Sequence, residues 1–435
     1  MKTAAGAFLG GAASRLLPLS IPFRYFGAAL VYHLLAWLAL LAGAAEFSHF
    51  AGGLGWPLAA LHLVTLGVLV MTAIGASLQL LPVATRQSLP STFWPKLIWW
   101  LYTPGVAALT LGMGRGSPAL LGAGGLAIAL ALLVYALLLA RNLAPARGMP
   151  GVVAHGWAAL GCLLALLATA ASLVLSYLGL PLLDRATALA LHISLAGYGF
   201  MGLLALGMSY ILVPMFALSA APEERRILLS CALAVLALAL AALAAFGVAP
   251  LALRLLAIAL GTGAVLLHLQ LMRQALRGGM RRALGADFVL IRVAWGALLA
   301  SLGGALALAC AAPLDMLAQL FVLALVGGWL LSFLLGMLRR ILPFLAAMHA
   351  ARGSRRPPTA SSLSAQRPLA LHFACHLLAL ALLVLALLLD STLLVRLAAV
   401  VGALGAGAFG LFFVLLLARL HGSGSARAAA SRAAP

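Results

Sequence analysis

Apolar residues fill twelve long blocks of this chain, at about 25–45, 57–82, 95–113, 117–140, 153–179, 186–218, 226–246, 249–275, 287–311, 315–347, 367–389 and 391–418. Short breaks rich in Arg, Gly, Pro and Ser separate them. A helix needs roughly 20 apolar residues to cross a hydrocarbon core about 30 Å thick. None of the blocks shows the two-residue alternation of a barrel strand, and lipid leaves a spanning backbone no other way to satisfy its polar groups than a helix or a closed barrel. The pattern predicts an all-α integral membrane protein of twelve transmembrane helices, called spans one to twelve below.

Composition agrees. Of 435 residues, 65% are hydrophobic and 8% charged, with a mean hydropathy of +1.18, whereas a soluble domain carries about 25% charge. Met1–Ser20 is rich in Gly and Ala and has no clear cleavage site, so residues 1–24 are expected to form a cytoplasmic N-terminal segment and not a signal peptide. Residues 25–418 form the membrane domain. HAARGSRRPPTASSLSAQRP (His349–Pro368) is the one low-complexity stretch, expected to be a mobile, solvated cytoplasmic linker against anionic lipid, and residues 419–435 are expected to be a similar tail.

Charge decides orientation. The net charge is +20, but of the Lys and Arg residues 22 fall at alternate breaks and the termini, and only Arg115, Arg185, Arg254 and Arg396 on the other side, with Arg292 inside span nine left out. The count includes Arg339 and Arg340 as loop charges. By the positive-inside rule both termini are cytoplasmic, in a bacterial-type inner (plasma) membrane. The basicity is topological, so no nucleic-acid partner is expected; the partners are the lipid bilayer and other respiratory-chain membrane subunits. All seven acidic residues lie in breaks or at span edges. Proton pumps and ion-coupled transporters keep a carboxylate at mid-membrane, which argues against both.

The chain repeats. GASLQLLP (Gly75–Pro82), GMSYILVP (Gly207–Pro214) and GMLRRILP (Gly336–Pro343) share a glycine followed seven residues later by a proline, and the glycines are 132 and 129 residues apart in spans two, six and ten. Three four-helix arcs follow, with units at about 25–140, 153–275 and 287–418 and spans two, six and ten nearest the arc axes. Each proline is expected to stop or kink its span at the cytoplasmic end, and each glycine to let a neighbouring backbone or flat ligand approach.

Three arcs of four helices, with His62 opening HLVTLGVLVMTAIGASLQLLP in span two and His192 opening HISLAGYGFMGLLALGMSYILVP in span six, resemble the heme–copper oxidase catalytic subunit superfamily. The span-six wording is similar to the copper-ligand helix of the cbb-type oxidases and nitric-oxide reductases, and LGMLRRILP is similar to the G-x-x-Y-x-x-V-P ending of their tenth helix. The resemblance implies haem b and copper as cofactors, with His62 as an axial ligand of low-spin haem and Arg396 as a propionate partner.

The departures are as informative. The family's tenth helix supplies two haem-ligating histidines where this chain reads LFVLALVGGWLL, and its seventh supplies two adjacent copper ligands where this chain reads RRILLSCALAVLALALAALAAF. The usual binuclear centre cannot be built, so the likeness does not extend to oxygen or nitric-oxide reduction. It is nearest to degenerate single-subunit relatives, including the NnrS-like haem proteins of nitric-oxide response.

On the residues themselves, His62 and His192 begin inward-running spans and so lie near the outer face, His33 lies at mid-depth in span one, and His49 lies in the first outer loop. An intramembrane imidazole is a candidate ligand for haem iron or copper, or a helix-packing residue bonded to a backbone carbonyl. Nearer the cytoplasm, His372, Cys375 and His376 in HFACH fall at i, i+3 and i+4. Two imidazoles and a thiolate suit copper or zinc; the alternative is an interfacial polar turn that snorkels. His155 and His268 lie at similar depth. Cys162, Cys231, Cys310 and Cys375 form no CxxC pair and read as small apolar residues. Three functions remain: a haem-binding protein of respiratory or nitric-oxide metabolism in electron transfer, sensing or assembly; a haem or metal transporter; and a cofactor-free assembly partner.

Overall fold

The computed structural model describes residues 15–432 except Pro90, Arg282, 313–315 and 352–357, with side chains described as far as His421. Twelve helices are long and apolar enough to cross a membrane: Ser20–Ala42, Trp56–Ala84, Phe93–Arg115, Pro118–Leu143, Pro150–Tyr177, Arg185–Ala217, Glu224–Ala245, Pro250–Arg277, Gly285–Ala309, Leu317–Ala351, Gln366–Leu388 and Thr392–His421. They are spans one to twelve. The described residues contain no strand. The chain is a multi-pass membrane protein.

Local sequence sets the span ends. Proline occupies the first turn of spans two, four, five and eight, where its missing N–H costs nothing. Asp184 caps span six by accepting a hydrogen bond from the Thr187 amide at 2.8 Å.

The span pairs three and four, seven and eight, and eleven and twelve form the outer ring, spans one, five and nine are wedged between them, and span twelve closes against span one. Spans two, six and ten fill the interior. The most apolar window of span six is 94% buried, against 17% for span eight, so span eight faces lipid and span six faces protein.

The motif glycines explain how the interior spans dock. A Cβ on Gly75 would come within 2.7 Å of the Tyr25 Cβ in span one, and one on Gly207 within 2.7 Å of the His155 Cβ in span five. At Gly336 it would meet the Asp287 carbonyl oxygen of span nine at 2.9 Å. A second glycine stands eight residues before each: Gly67, Gly199 and Gly328. These receive Tyr32 Cβ at 2.7 Å, Cys162 Cβ at 3.0 Å and Ala297 Cβ at 2.7 Å, again from spans one, five and nine. This second series is a sequence signal in its own right, a glycine eight residues before each motif glycine.

Each interior span also changes from α to π geometry, over Leu63–Val70, Leu195–Gly202 and Leu323–Leu331. The wider turn carries the first of the two glycines in every case. Such segments are rare and are often found at functional positions.

Several expectations need correcting. Pro82, Pro214 and Pro343 lie inside their helices, so they do not end them, and span ten continues to Ala351. Arg339 and Arg340 are inside span ten, where Asp287 of span nine bridges them at 2.5 and 3.2 Å. They are packing residues and not loop charges. In the linker, 352–357 lie outside the described residues, but Thr359 caps a short helix, Ala360–Leu363, that buries Leu363. That part is docked, with Arg419 of span twelve donating to the Ser362 carbonyl. The last helix runs on through Arg432, so the tail backbone is helical. Residues 1–14 of the N-terminal segment, Lys2 among them, and Arg282, Asp315, Arg352, Arg355 and Arg356 lie outside the described residues, as do the side chains of Arg427 and Arg432.

Candidate functional site

Nine of the chain's ten histidines lie within the twelve spans, and seven of them gather into three groups. The first spans the interior. His62 ends the α-helical part of span two just before the π segment, and His192 lies three residues before the π segment of span six. Their ring centres are 6.3 Å apart, with planes 30° from parallel. His62 Nδ1 donates to the Leu58 carbonyl at 3.0 Å, because a carbonyl can only accept. That fixes the tautomer and leaves Nε2 a lone pair. His192 Nδ1 is buried without a hydrogen-bond partner among the described residues. The two are not in strict repeat register: His62 precedes Gly75 by 13 residues and His192 precedes Gly207 by 15. They face each other between spans two and six.

The second group lies in the opposite half. Tyr210, three residues after motif Gly207, stands between His155 of span five and His268 of span eight, with ring centres 5.4 and 5.1 Å away. His155 Nδ1 donates to the Gly151 carbonyl at 2.8 Å. Its Nε2, and both nitrogens of His268, lack a hydrogen-bond partner among the described residues. Trp295 of span nine continues the row, 6.4 Å from His268.

In the third group Trp37 Nε1 donates to His33 Nε2 at 3.2 Å, and His33 lies 6.4 Å from His372, whose ring stacks 5.9 Å from His376. His376 Nε2 bonds Ser332 Oγ of span ten at 2.8 Å, and Arg339 donates to the Leu369 carbonyl and toward His372 Nδ1 at 2.6 and 3.4 Å. His372 and His376 are 0% and 2% exposed, so HFACH is no snorkelling interfacial turn. Cys375 faces span twelve, where a Cβ on Gly405 would touch its own Cβ at 2.8 Å. The backbone of Cys375 is thus packed against span twelve on the helix that carries both imidazoles. Among the described residues no three His, Cys, Asp or Glu side chains converge as a ligand set.

Of the other sequence-marked residues, His33 belongs with His372 and not with His62. Arg396 is exposed on span twelve beside the exposed Leu393, Leu397 and Val400, on a face turned from the bundle, so it does not join the His62–His192 pair. His49 makes an exposed contact with Asp390 at 3.2 Å. Tyr210, Trp37, Ser332 and the Arg339–Asp287 pair carry no sequence signal of their own. No periodicity singles out a Tyr, Trp or Ser in an apolar helix, and the partners are far apart in sequence.

Compared with known proteins, the chain matches no family model and no curated protein.

Proposed function

We propose that this is a haem- or copper-binding membrane protein of respiratory or nitric-oxide metabolism, with its metal centre between His62 and His192. The single observation that carries the reading is the 6.3 Å separation of those rings. An imidazole nitrogen lies about 2 Å from a bound first-row metal, so two rings on opposite sides of one ion have centres roughly 6 Å apart. The Leu58 carbonyl on His62 Nδ1 is the outer-shell bond that orients a ligating imidazole and raises its basicity. The unpartnered His192 Nδ1 and the adjoining π segments add support.

Haem iron or copper held there would supply one-electron transfer. With His62 and His192 as the residues that would hold it, such a centre would serve electron transfer or sensing. The three-arc oxidase-like repeat, the cytoplasmic termini and the inner-membrane location belong to the same reading, supported by the paired glycine series and the distribution of arginine.

The test is the absorption spectrum and elemental analysis of the detergent-purified protein. A Soret band, or one copper per chain, is expected; neither leaves the assembly-partner reading. A second reading, a haem or metal transporter, is favoured by the His155–Tyr210–His268 and His33–His372–His376 groups in the opposite half. Uptake of haem or copper into proteoliposomes distinguishes it.

A further inference from the structure

Spans eight and nine enclose a groove of about 570 Å³ walled by Arg273 and Arg277 of span eight and Arg292 of span nine, above an apolar floor that includes Leu269, Trp295 and Leu299. Its volume is within the range of small-molecule sites. No acidic side chain lines it. Arg273 and Arg277 stand one turn apart, and both are exposed, as is Arg292. The nearest carboxylate in sequence, Asp287, is taken by Arg339 and Arg340, and neither Arg273 nor Arg292 has an ion pair among the described residues.

Depth identifies the ligand. Span nine starts at Gly285, so Arg292 lies about 10 Å into the helix at 1.5 Å per residue, on a surface that faces lipid beside the exposed Val293 and Val289. A guanidinium there is costly unless it reaches the headgroup layer and meets an anion. Arg273 lines the same groove from span eight, four residues or about 6 Å before the span's last residue, Arg277. The cationic rim thus lies at the phosphate level of one leaflet, and the apolar floor continues from it toward the bilayer centre. A free phosphate would use the rim and leave the floor bare.

We propose that this groove binds one anionic diacyl phospholipid, its phosphodiester on Arg273, Arg277 and Arg292 and an acyl chain along Leu269, Trp295 and Leu299. The site is independent of the metal centre proposed above, since it lies on the outer surface of spans eight and nine.

The experiment is native mass spectrometry of the full-length protein in neutral detergent. It is titrated with phosphatidylglycerol, phosphatidylcholine or inorganic phosphate, and repeated with Arg273→Gln/Arg292→Gln and with Arg254→Gln at the other end of span eight. Wild type and Arg254→Gln should retain one phosphatidylglycerol, and the double variant should bind it at least about tenfold more weakly. Equal retention by the double variant, equal retention of phosphatidylcholine, or full competition by inorganic phosphate would overturn the proposal. A readout on wild type guards against misfolding of the variant: phosphatidylglycerol with brominated chains should quench the emission that Trp295→Phe removes. Absence of that quenching overturns it as well.

Discussion

Arg339 of span ten donates to Asp287 of span nine at 2.5 Å, while Arg340 approaches the second carboxylate oxygen at 3.2 Å. The Arg339 side chain is 4% exposed and that of Asp287 21%, so one carboxylate is shared by two guanidinium groups inside the bundle and offsets one of their two charges. Removing one partner of a buried pair leaves an uncompensated charge, at a cost of about 3–5 kcal/mol. Asp287→Ala should lower thermal stability in detergent by that order, and Asp287→Asn, which keeps an acceptor, by less. An unchanged melting temperature for Asp287→Ala would show that the pair is incidental.

The interior contacts predict a contrast between glycines. Gly207→Ala forces a methyl to within 2.7 Å of the His155 Cβ, a backbone-anchored atom that cannot swing aside. Overpacking of this kind costs about 1–3 kcal/mol. Gly263→Ala meets nothing within 4 Å and should be neutral or stabilising by up to about 1 kcal/mol, since Ala is the better helix former. Calorimetry on the two variants checks this, and similar melting curves would remove the close-crossing account of the motif.

These residues also show what was legible beforehand. The twelve spans were readable because a bilayer demands a long apolar run for each helix, and the interior position of spans two, six and ten was readable from Gly75, Gly207 and Gly336. Arg339 and Arg340 were misread because loop and helix-end arginines look alike until the partner, Asp287, is brought in from 52 residues away. HFACH differs from the interfacial turn that its position near a span end suggests for a related reason: His372 and His376 are buried by partners from other spans, Arg339 and Ser332. The facing of His62 and His192 depends on how spans two and six come together, which no local pattern encodes.

A pH effect is expected at the start of span six. Hydrogen bonds from Thr187 hold the Asp184 carboxyl below the usual carboxylate range. A depressed folded value means that the cap's contribution is complete above the unfolded value of about 3.9 and is lost as pH falls through the folded value. Hydrogen exchange at the Thr187 amide should therefore lose protection in acid beyond the intrinsic pH dependence. In Asp184→Asn that extra loss should vanish; its persistence would contradict the cap.

Orientation gives the next prediction. Reporter fusions after Arg147 and at the C-terminus should read cytoplasmic, and one after Arg185 should read external. Moving Arg339 and Arg340 into the helix leaves the arginine excess on the same side, so the opposite pattern would overturn the topology.

The most direct test of the central claim is the haem and copper content, with absorption spectra, of wild type, His62→Ala, His192→Ala and His421→Ala. Each imidazole is a ligand in this account, and loss of a coordination bond is not made good by water. The first two variants should lose the cofactor or shift its spectrum, while His421→Ala, at the exposed end of span twelve, should match wild type. Equal cofactor content and identical spectra in all four proteins, or no cofactor in wild type, would contradict the account and leave His62 and His192 as packing residues.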